Sequence, residues 1–424
     1  MRTCSVSYGG NALSPEVSSL LQLYAIDEPL FPNLKALDLW NTGESISFVP
    51  LFLSPRITSI SIRSFGNLPI TMVASIIITL PKVCPNLQEI YLHYLPRDLM
   101  IAAAVSTMIQ ASDRHALQSI RVDSPLTEAT HQAIYNLPNL RVLEVVIEKD
   151  SPLLVVVLPN LTELAIEYNH NHSWLHGFRG ATLGKLASVT FRPECESIDG
   201  LLEVFERVAL SASVQDTLSK FYLYTSHSWN PNYSSLLSFT QLKHLVIDFS
   251  CDDGCSSTVD DDVIMDLARA MPKLETLRLG DEPCQEIQTG VTVKGLMVLA
   301  HHCLGLYALR IHFKADSLGA PPVIPAVTPN TGSTTLRGSC ALTDLEVGRI
   351  PVPEGSASTV ALTLVRIFPR LANIDHIDGD WDEVVDEIRV SAAIVDYSSE
   401  EHLMSASWSN FSDISPGTVL GNAI

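Results

Sequence analysis

Phe31-Pro-Asn-Leu34-Lys-Ala-Leu37-Asp-Leu39 is the stretch on which the fold turns. A Pro-Asn pair leads into three apolar residues at the first, fourth and sixth places of a six-residue phrase. In an extended chain successive side chains alternate between faces, so Leu37 and Leu39 share one face and Asp38 points from the other. The same cadence returns at Ile57, Leu87, Leu117, Leu140, Leu161, Leu186, Leu218, Leu242, Leu274, Leu306 and Leu342, and in degenerate form at Leu371.

These thirteen copies start 21 to 36 residues apart, about 28 on average, within or just above the spacing of roughly 20–29 that defines leucine-rich repeats. Proline stands just ahead of many of them, as in Cys84-Pro-Asn, Leu137-Pro-Asn, Leu158-Pro-Asn, Met271-Pro-Lys and Phe368-Pro-Arg. It lacks an N–H and restricts the residue before it, so it ends a helix and feeds the next strand. Between copies, Thr71 to Leu80, Leu201 to Leu210 and Val360 to Phe368 carry apolar residues at helical spacing. Val17 to Leu23 reads as the helix of a preceding repeat, and Asp260 to Asp262 supply acceptors for a helix over Val263 to Met271. Strand, helix, strand at this period predicts an α/β leucine-rich-repeat solenoid. It is a right-handed horseshoe with a parallel sheet on the concave face and helices on the convex face. Residues 1–30 read as an N-terminal partial repeat or cap and 31–388 as the solenoid, with Ala315 to Ser339 a Pro- and Gly-rich loop insertion. Asp375 to Glu387, with Trp381, reads as a terminal cap over the last core layer, and 389–424 as a tail.

Composition bounds the partners. With 47 acidic against 27 basic residues the formal charge is −20, a surface that repels phosphate backbones and anionic headgroups, so neither nucleic acid nor membrane is expected. The longest apolar run, Leu153 to Leu158, is far short of a membrane span, and Met1 to Gly10 has no apolar core of a secretory signal. Eight scattered cysteines in such a chain read as free, mostly buried thiols, and the location expected is cytoplasmic or nuclear.

Several constellations raise chemistry and are answered by simpler readings. His170, His172 and His176 lie in what reads as an exposed polar loop, and structural zinc needs four N or S ligands. Cys251 and Cys255 have the spacing of half a zinc site without a second pair nearby. Helix capping explains Asp260 to Asp262 beside Asp266 without a metal, and His301-His302-Cys303 ends a helix where histidine complements the carbonyl end. No P-loop, GxGxxG, GxSxG or HExxH is present. No catalytic residue, metal or cofactor is therefore assigned.

The positions that remain are those facing the concavity. The penultimate residue of successive copies reads Asp38, Ser61, Tyr91, Arg121, Glu144, Ala165, Thr190, Tyr222, Val246, Arg278, Arg310 and Glu346. Arg278 and Arg310 should be neighbours about 4.8 Å apart, forming a positive spot for a partner's carboxylate or phosphate. Tyr91 beside Arg121 makes a second candidate, and Tyr222 belongs to the same row, since these residue types are enriched at binding hot spots.

The irregular repeat length, the Pro-Asn-Leu lead-ins at Leu34, Leu87 and Leu161, and phrasing such as Leu34-Lys-Ala-Leu37-Asp-Leu39 resemble the leucine-rich-repeat portion of fungal, basidiomycete-type F-box-like proteins. The resemblance covers about Leu20 to Phe368. It implies a substrate-selecting arm of a ubiquitin ligase, whose N-terminal F-box would dock on a cullin-ligase adaptor. Here the first repeat begins by Phe31, leaving no room for an F-box, so that adaptor is a partner only if one lies upstream. The asparagine that closes each strand in the family is mostly absent, with Asn169 after Ile166 a match and Gly280 after Leu279 not. The function expected is protein recognition on the concave face, of a ligase substrate or else of a client that a repeat-only protein regulates.

Overall fold

The computed structural model describes residues 3–7, 30–40, 49–63, 69–147, 158–168, 183–193, 212–225, 233–249, 259–280, 289–315, 317, 340–348, 350–376 and 381–390. Fourteen strands form one sheet in the order of the chain. They are β1 (Thr3–Ser7), β2 (Ala36–Trp40), β3 (Ser59–Arg63), β4 (Glu89–His93), β5 (Ser119–Pro125), β6 (Val142–Ile147) and β7 (Glu163–Tyr168). There follow β8 (Ser188–Pro193), β9 (Lys220–Thr225), β10 (His244–Phe249), β11 (Thr276–Leu279), β12 (Ala308–Ile311), β13 (Asp344–Gly348) and β14 (Asn373–His376). Every pairing is parallel and joins chain neighbours, so the molecule is an α/β protein with an all-parallel sheet.

All thirteen expected copies fall on strands, and β1 is a fourteenth. It lies inside the segment expected as a partial repeat, pairing Cys4 with Leu37 and Val6 with Leu39. Met1-Arg-Thr-Cys4-Ser-Val6 meets the cadence only with methionine and cysteine at its first two apolar places and has no Pro-Asn lead-in, which hides it from a search for the leucine-led phrase. The apolar pairs keep a common register: Leu37 faces Ile60, Ile60 faces Ile90, and Leu277 faces Leu309. They are almost wholly buried and share one continuous core with the helix residues Val73, Ile77, Val105, Leu267, Leu299 and Leu364. At about 1.5–3 kcal/mol for each large side chain removed from water, this stacking is the dominant favourable contribution.

The helices Ile70–Val83, Leu99–Ala111, Glu128–Tyr135, Asp261–Ala270, Val293–His302 and Ala357–Ile367 lie against that core, with Val49–Phe52 and Ala212–Thr217 as shorter turns. Ile70–Val83, Asp261–Ala270 and Ala357–Ile367 bracket three expected helices to within a few residues. Leu201 to Leu210 and Val17 to Leu23 lie outside the described residues. The expected cap at Asp260 is present, its carboxylate accepting from the N–H groups of Asp262 and Val263 at 3.1 and 2.9 Å. The His301-His302-Cys303 stretch ends its helix as expected.

The Pro-Asn lead-in does more than end helices. Around it the chain turns tightly, the N–H of Leu87 donating to Cys84, that of Leu140 to Leu137 and that of Leu161 to Leu158. Each asparagine amide then reaches back one repeat, Asn86 to the Pro55 carbonyl at 2.9 Å, Asn139 to His115 at 2.8 Å and Asn160 to Pro138 at 2.9 Å. One side chain thus satisfies a carbonyl that the turn leaves without a backbone partner. Just after β11, Gly280 adopts φ +100° and its N–H donates to Ile247. That left-handed turn suits glycine.

The chain ends follow the same economy. Trp381 is fully buried, meets Phe313 edge to face at 6.1 Å and donates its indole N–H to the Ile350 carbonyl at 2.6 Å. With Val384 and Ile388 buried behind it, the segment caps the last layer as expected, its helix running over 382–390, two residues into the expected tail. Ala315, placed by the sequence in the loop insertion, is instead packed into the core, and the Ser317 hydroxyl accepts the N–H of Val293 at 3.1 Å. Residues 318–339 and 391–424 lie outside the described residues. The cysteines whose side chains are described, Cys84, Cys303 and Cys340, are buried free thiols, and burial raises Cys84 to about 11 and Cys303 to about 12. Among the described residues no helix is long and apolar enough to cross a membrane.

Asp261 ties two repeats together. Its carboxylate accepts from the Thr292 N–H and hydroxyl at 2.8 and 2.7 Å and from the Gly295 N–H at 3.0 Å, capping the next helix. A Cβ at Gly295 would stand 2.7 Å from that carboxylate, and one at Gly290 would stand 2.7 Å from the Asp260 Cβ and 3.1 Å from its Cα. Gly290→Ala should therefore cost about 2 kcal/mol in urea unfolding and Gly295→Ala about 1 kcal/mol, because the Asp261 side chain can turn aside but loses its caps. Gly184→Ala, which meets nothing within 4 Å, should stay within about 0.5 kcal/mol. Equal losses at all three would remove the close-approach argument.

His131, in Glu128–Tyr135, is buried with neither ring nitrogen hydrogen-bonded, and burial lowers its imidazole from 6.5 to about 4. The unfolded chain then binds the extra proton first as pH falls, so stability declines between about 6.5 and 4 and this contribution changes no further below. The decline should reach on the order of 3 kcal/mol from this group. His131→Phe should flatten it, leaving the smaller slopes of His93 and His244, which burial lowers in the same sense. A variant as acid-sensitive as the parent, in urea titrations at pH 7 and 4.5, would contradict this.

Candidate functional site

One face of the sheet packs on the helices, and among the described residues no helix covers the other. Because every strand holds the same register, the penultimate residues form one unbroken row across the open face. The row runs Asp38, Ser61, Tyr91, Arg121, Glu144, Ala165, Thr190, Tyr222, Val246, Arg278, Arg310, Glu346 and Asp375. Every residue named from the sequence for this row lies in it, and both expected neighbour pairs, Tyr91 with Arg121 and Arg278 with Arg310, are adjacent.

Tyr91 sits among cations. The Arg63 guanidinium lies 4.9 Å from its ring centre and that of Arg121 5.9 Å, on the favourable face of the π system. His93, two residues on, stacks on the same ring at 4.1 Å. Tyr91, Arg63 and Arg121 line, with Asp38, Ser59 and Glu89, a depression of about 500 Å³. The Arg121 side chain reaches over β6 to Glu163 at 3.2 Å.

That reach recurs. Arg192 on β8 crosses to Glu144 on β6 at 2.8 Å, and Arg310 on β12 crosses to Asp248 on β10 at 3.7 Å. Two strand spacings are about 10 Å, which a long arginine arm and an acidic side chain can span together. The Arg121 and Arg192 pairs are partly exposed and worth little singly, whereas Arg310 and Asp248 are largely buried; all three pairs cross-link alternate strands.

Arg310 corrects the reading that both arginines form a free positive spot. Its side chain is only 10% exposed and is held by Glu346 at 2.6 Å as well as by Asp248, so its charge is met within the sheet. Arg278 is exposed and makes no ion pair or hydrogen bond among the described residues. The positive spot is one guanidinium, not two.

Arg278 has aromatic company that the sequence reading passed over. Tyr222 and Tyr224 stack with ring centres 6.4 Å apart and planes 3° from parallel. Burial raises both phenols; Tyr307 adds to the rise at Tyr222 and Asp248 at Tyr224, while Arg278 opposes it at each. Tyr307 also lines, with Arg278, Asp344, Glu346, Asn373 and Asp375, a depression of about 350 Å³. Arg63, His93, Arg192, Tyr224 and Asp248 were missed because each stands two places past a penultimate position, where the strand continues beyond the six-residue cadence. Following the alternation two residues further would have found them.

At the upper edge, Asp123 accepts the N–H groups of Tyr94 and, at 3.1 Å, Leu95, holding Tyr94 at φ +57°. Burial nonetheless raises its carboxyl above the usual range. His170, His172, His176, Cys251 and Cys255 lie outside the described residues. No known protein family matches the chain, and no curated protein matches it.

The two arginines should separate cleanly in stability. Arg310→Met leaves Asp248 and Glu346 without their partner in a largely buried setting and should cost about 2–4 kcal/mol. Arg278→Met should stay within about 0.5 kcal/mol. Urea unfolding of both variants checks this, and a larger loss at Arg278 would reverse the assignment.

Proposed function

We propose that the chain is a right-handed leucine-rich-repeat solenoid whose concave face, the open sheet face, recognises another protein, and that it is not an enzyme. The observation that carries this is the row itself. Tyrosine and arginine, the side chains enriched at hot spots, are gathered into two sectors on a face that no described helix covers. A parallel sheet in chain order supports the solenoid, since each strand must be followed by a return segment on the helix side. The resemblance to fungal F-box-like proteins supports a substrate-binding arm of a ubiquitin ligase as the setting.

The test places a photo-crosslinking amino acid at Thr190, mid-row on the open face, or at Thr79 on an exposed helix surface, in the full chain expressed in cells. Crosslinks to a defined protein from Thr190 and none from Thr79 are expected. Crosslinks confined to Thr79, or none from either, would overturn the reading. Co-purification of a cullin-ligase adaptor with the same chain tests the ligase setting separately. Crosslinks at Thr190 without adaptor would favour the repeat-only regulator.

A further inference from the structure

We propose that the sector formed by Lys220, Tyr222, Tyr224, Arg278 and Tyr307 receives an acidic segment of a protein partner, with a side-chain carboxylate seated on Arg278. This rests on the open face being a protein-recognition surface and says which part of it binds and what it binds.

Arg278 is a charge that the fold leaves over. On a chain of formal charge −20, an exposed guanidinium would be expected to find a carboxylate. Two of the three carboxylates that line the depression beside it are engaged elsewhere. Glu346 is held by Arg310 at 2.6 Å, and Asp344 accepts from Asn373 at 2.8 Å and from the Thr343 hydroxyl at 2.6 Å. Arg121, Arg192 and Arg310 all have acidic partners and Lys220 feels Glu275, whereas Arg278 has no acidic partner among the described residues. Lys220 stands on the same strand face as Tyr222 and Tyr224, two and four residues before them.

The surroundings match a side chain with an apolar stem and an anionic tip. Val246, 5% exposed, lies in the row between Tyr222 and Arg278 and gives an apolar floor. The stacked Tyr222 and Tyr224 rings form one wall, and Tyr307, 43% exposed, stands on the opposite side. Arginine's planar fork donates two parallel N–H bonds to a carboxylate, and phenolic hydroxyls are ready donors.

Carboxylate fits better than phosphate. A dianion is usually held by a cluster of arginines, and here the neighbouring Arg310 is already matched by Asp248 and Glu346. Asp344 and Asp375, which line the depression beyond Arg278, repel an anion on that side. The acidic segment therefore lies over β9 to β11 and ends before β13.

Selection of random dodecapeptides on the intact chain by phage display, followed by fluorescence anisotropy of the enriched peptides, tests this. Enriched peptides should carry Asp or Glu beside aromatic or branched residues. Arg278→Glu should weaken them tenfold or more, Arg278→Gln and Tyr222→Ala by several-fold, and Arg121→Glu hardly at all. Exchanging the peptide acid for lysine should recover binding to Arg278→Glu. Unchanged thermal melts for the Arg278 variants would confirm that folding is intact. Peptides without acidic preference and indifferent to Arg278→Glu would overturn the proposal and leave the recognition reading standing, whereas no enrichment would overturn both. A phosphoserine version binding tenfold tighter than its glutamate parent would overturn the carboxylate assignment in favour of phosphate.

Discussion

Each strand of this protein must set its pair of apolar side chains on the pair of the strand before. Leu37 on Ile60, Ile120 on Leu143 and Leu309 on Leu345 are instances of one contact repeated through the core. A slip of one residue at any strand would turn that strand's apolar pair to water and its outward residues into the core, so register is held at every step. The outward row is then a consequence. Once the core is stacked, the residue between each apolar pair has only one place to go.

The hydrogen bonds serve the same register. Backbone amides just ahead of each strand converge on one carbonyl of the preceding repeat, as those of Gln88 and Glu89 do on Thr58. The amide of Asn86, Asn139 or Asn160 adds a second tie one turn earlier. Neither tie depends on the length of the return segment. Copies 21 to 36 residues apart can therefore share a register, and the irregularity is absorbed on the helix side.

This explains what was legible in the sequence. Strand positions, the outward row, the cap at Asp260 and the sealing role of Trp381 all follow from local spacing or from one residue's chemistry. The strand at Thr3–Ser7 escaped because Met1 and Cys4 stand at the first two apolar places and no Pro-Asn pair leads in, and Ala315 was misplaced because a proline- and glycine-rich stretch follows it in the sequence. The pairing state of the arginines was not legible. Adjacent rows in a stack invite nearest-neighbour reasoning, yet Arg310 finds Asp248 two strands away, and Asp248 itself stands two places past the row position Val246, just beyond the cadence. Asp261, read only as part of a helix start, spends its carboxylate on the helix of the following repeat for the same reason.

Two kinds of outward position result, and they do different work. Arg121, Glu144, Arg192, Asp248, Arg310 and Glu346 are engaged in ion pairs that join neighbouring or alternate strands, so a change at one alters a partner and the stiffness of the sheet. Arg278 and Tyr222 flank the buried Val246 in the row, and Arg278 has no ion pair among the described residues, so its guanidinium is not spent on the fold. A repeating core thus supplies a fixed lattice of outward places at strand spacing. Specificity enters where that lattice holds side chains the fold itself does not use.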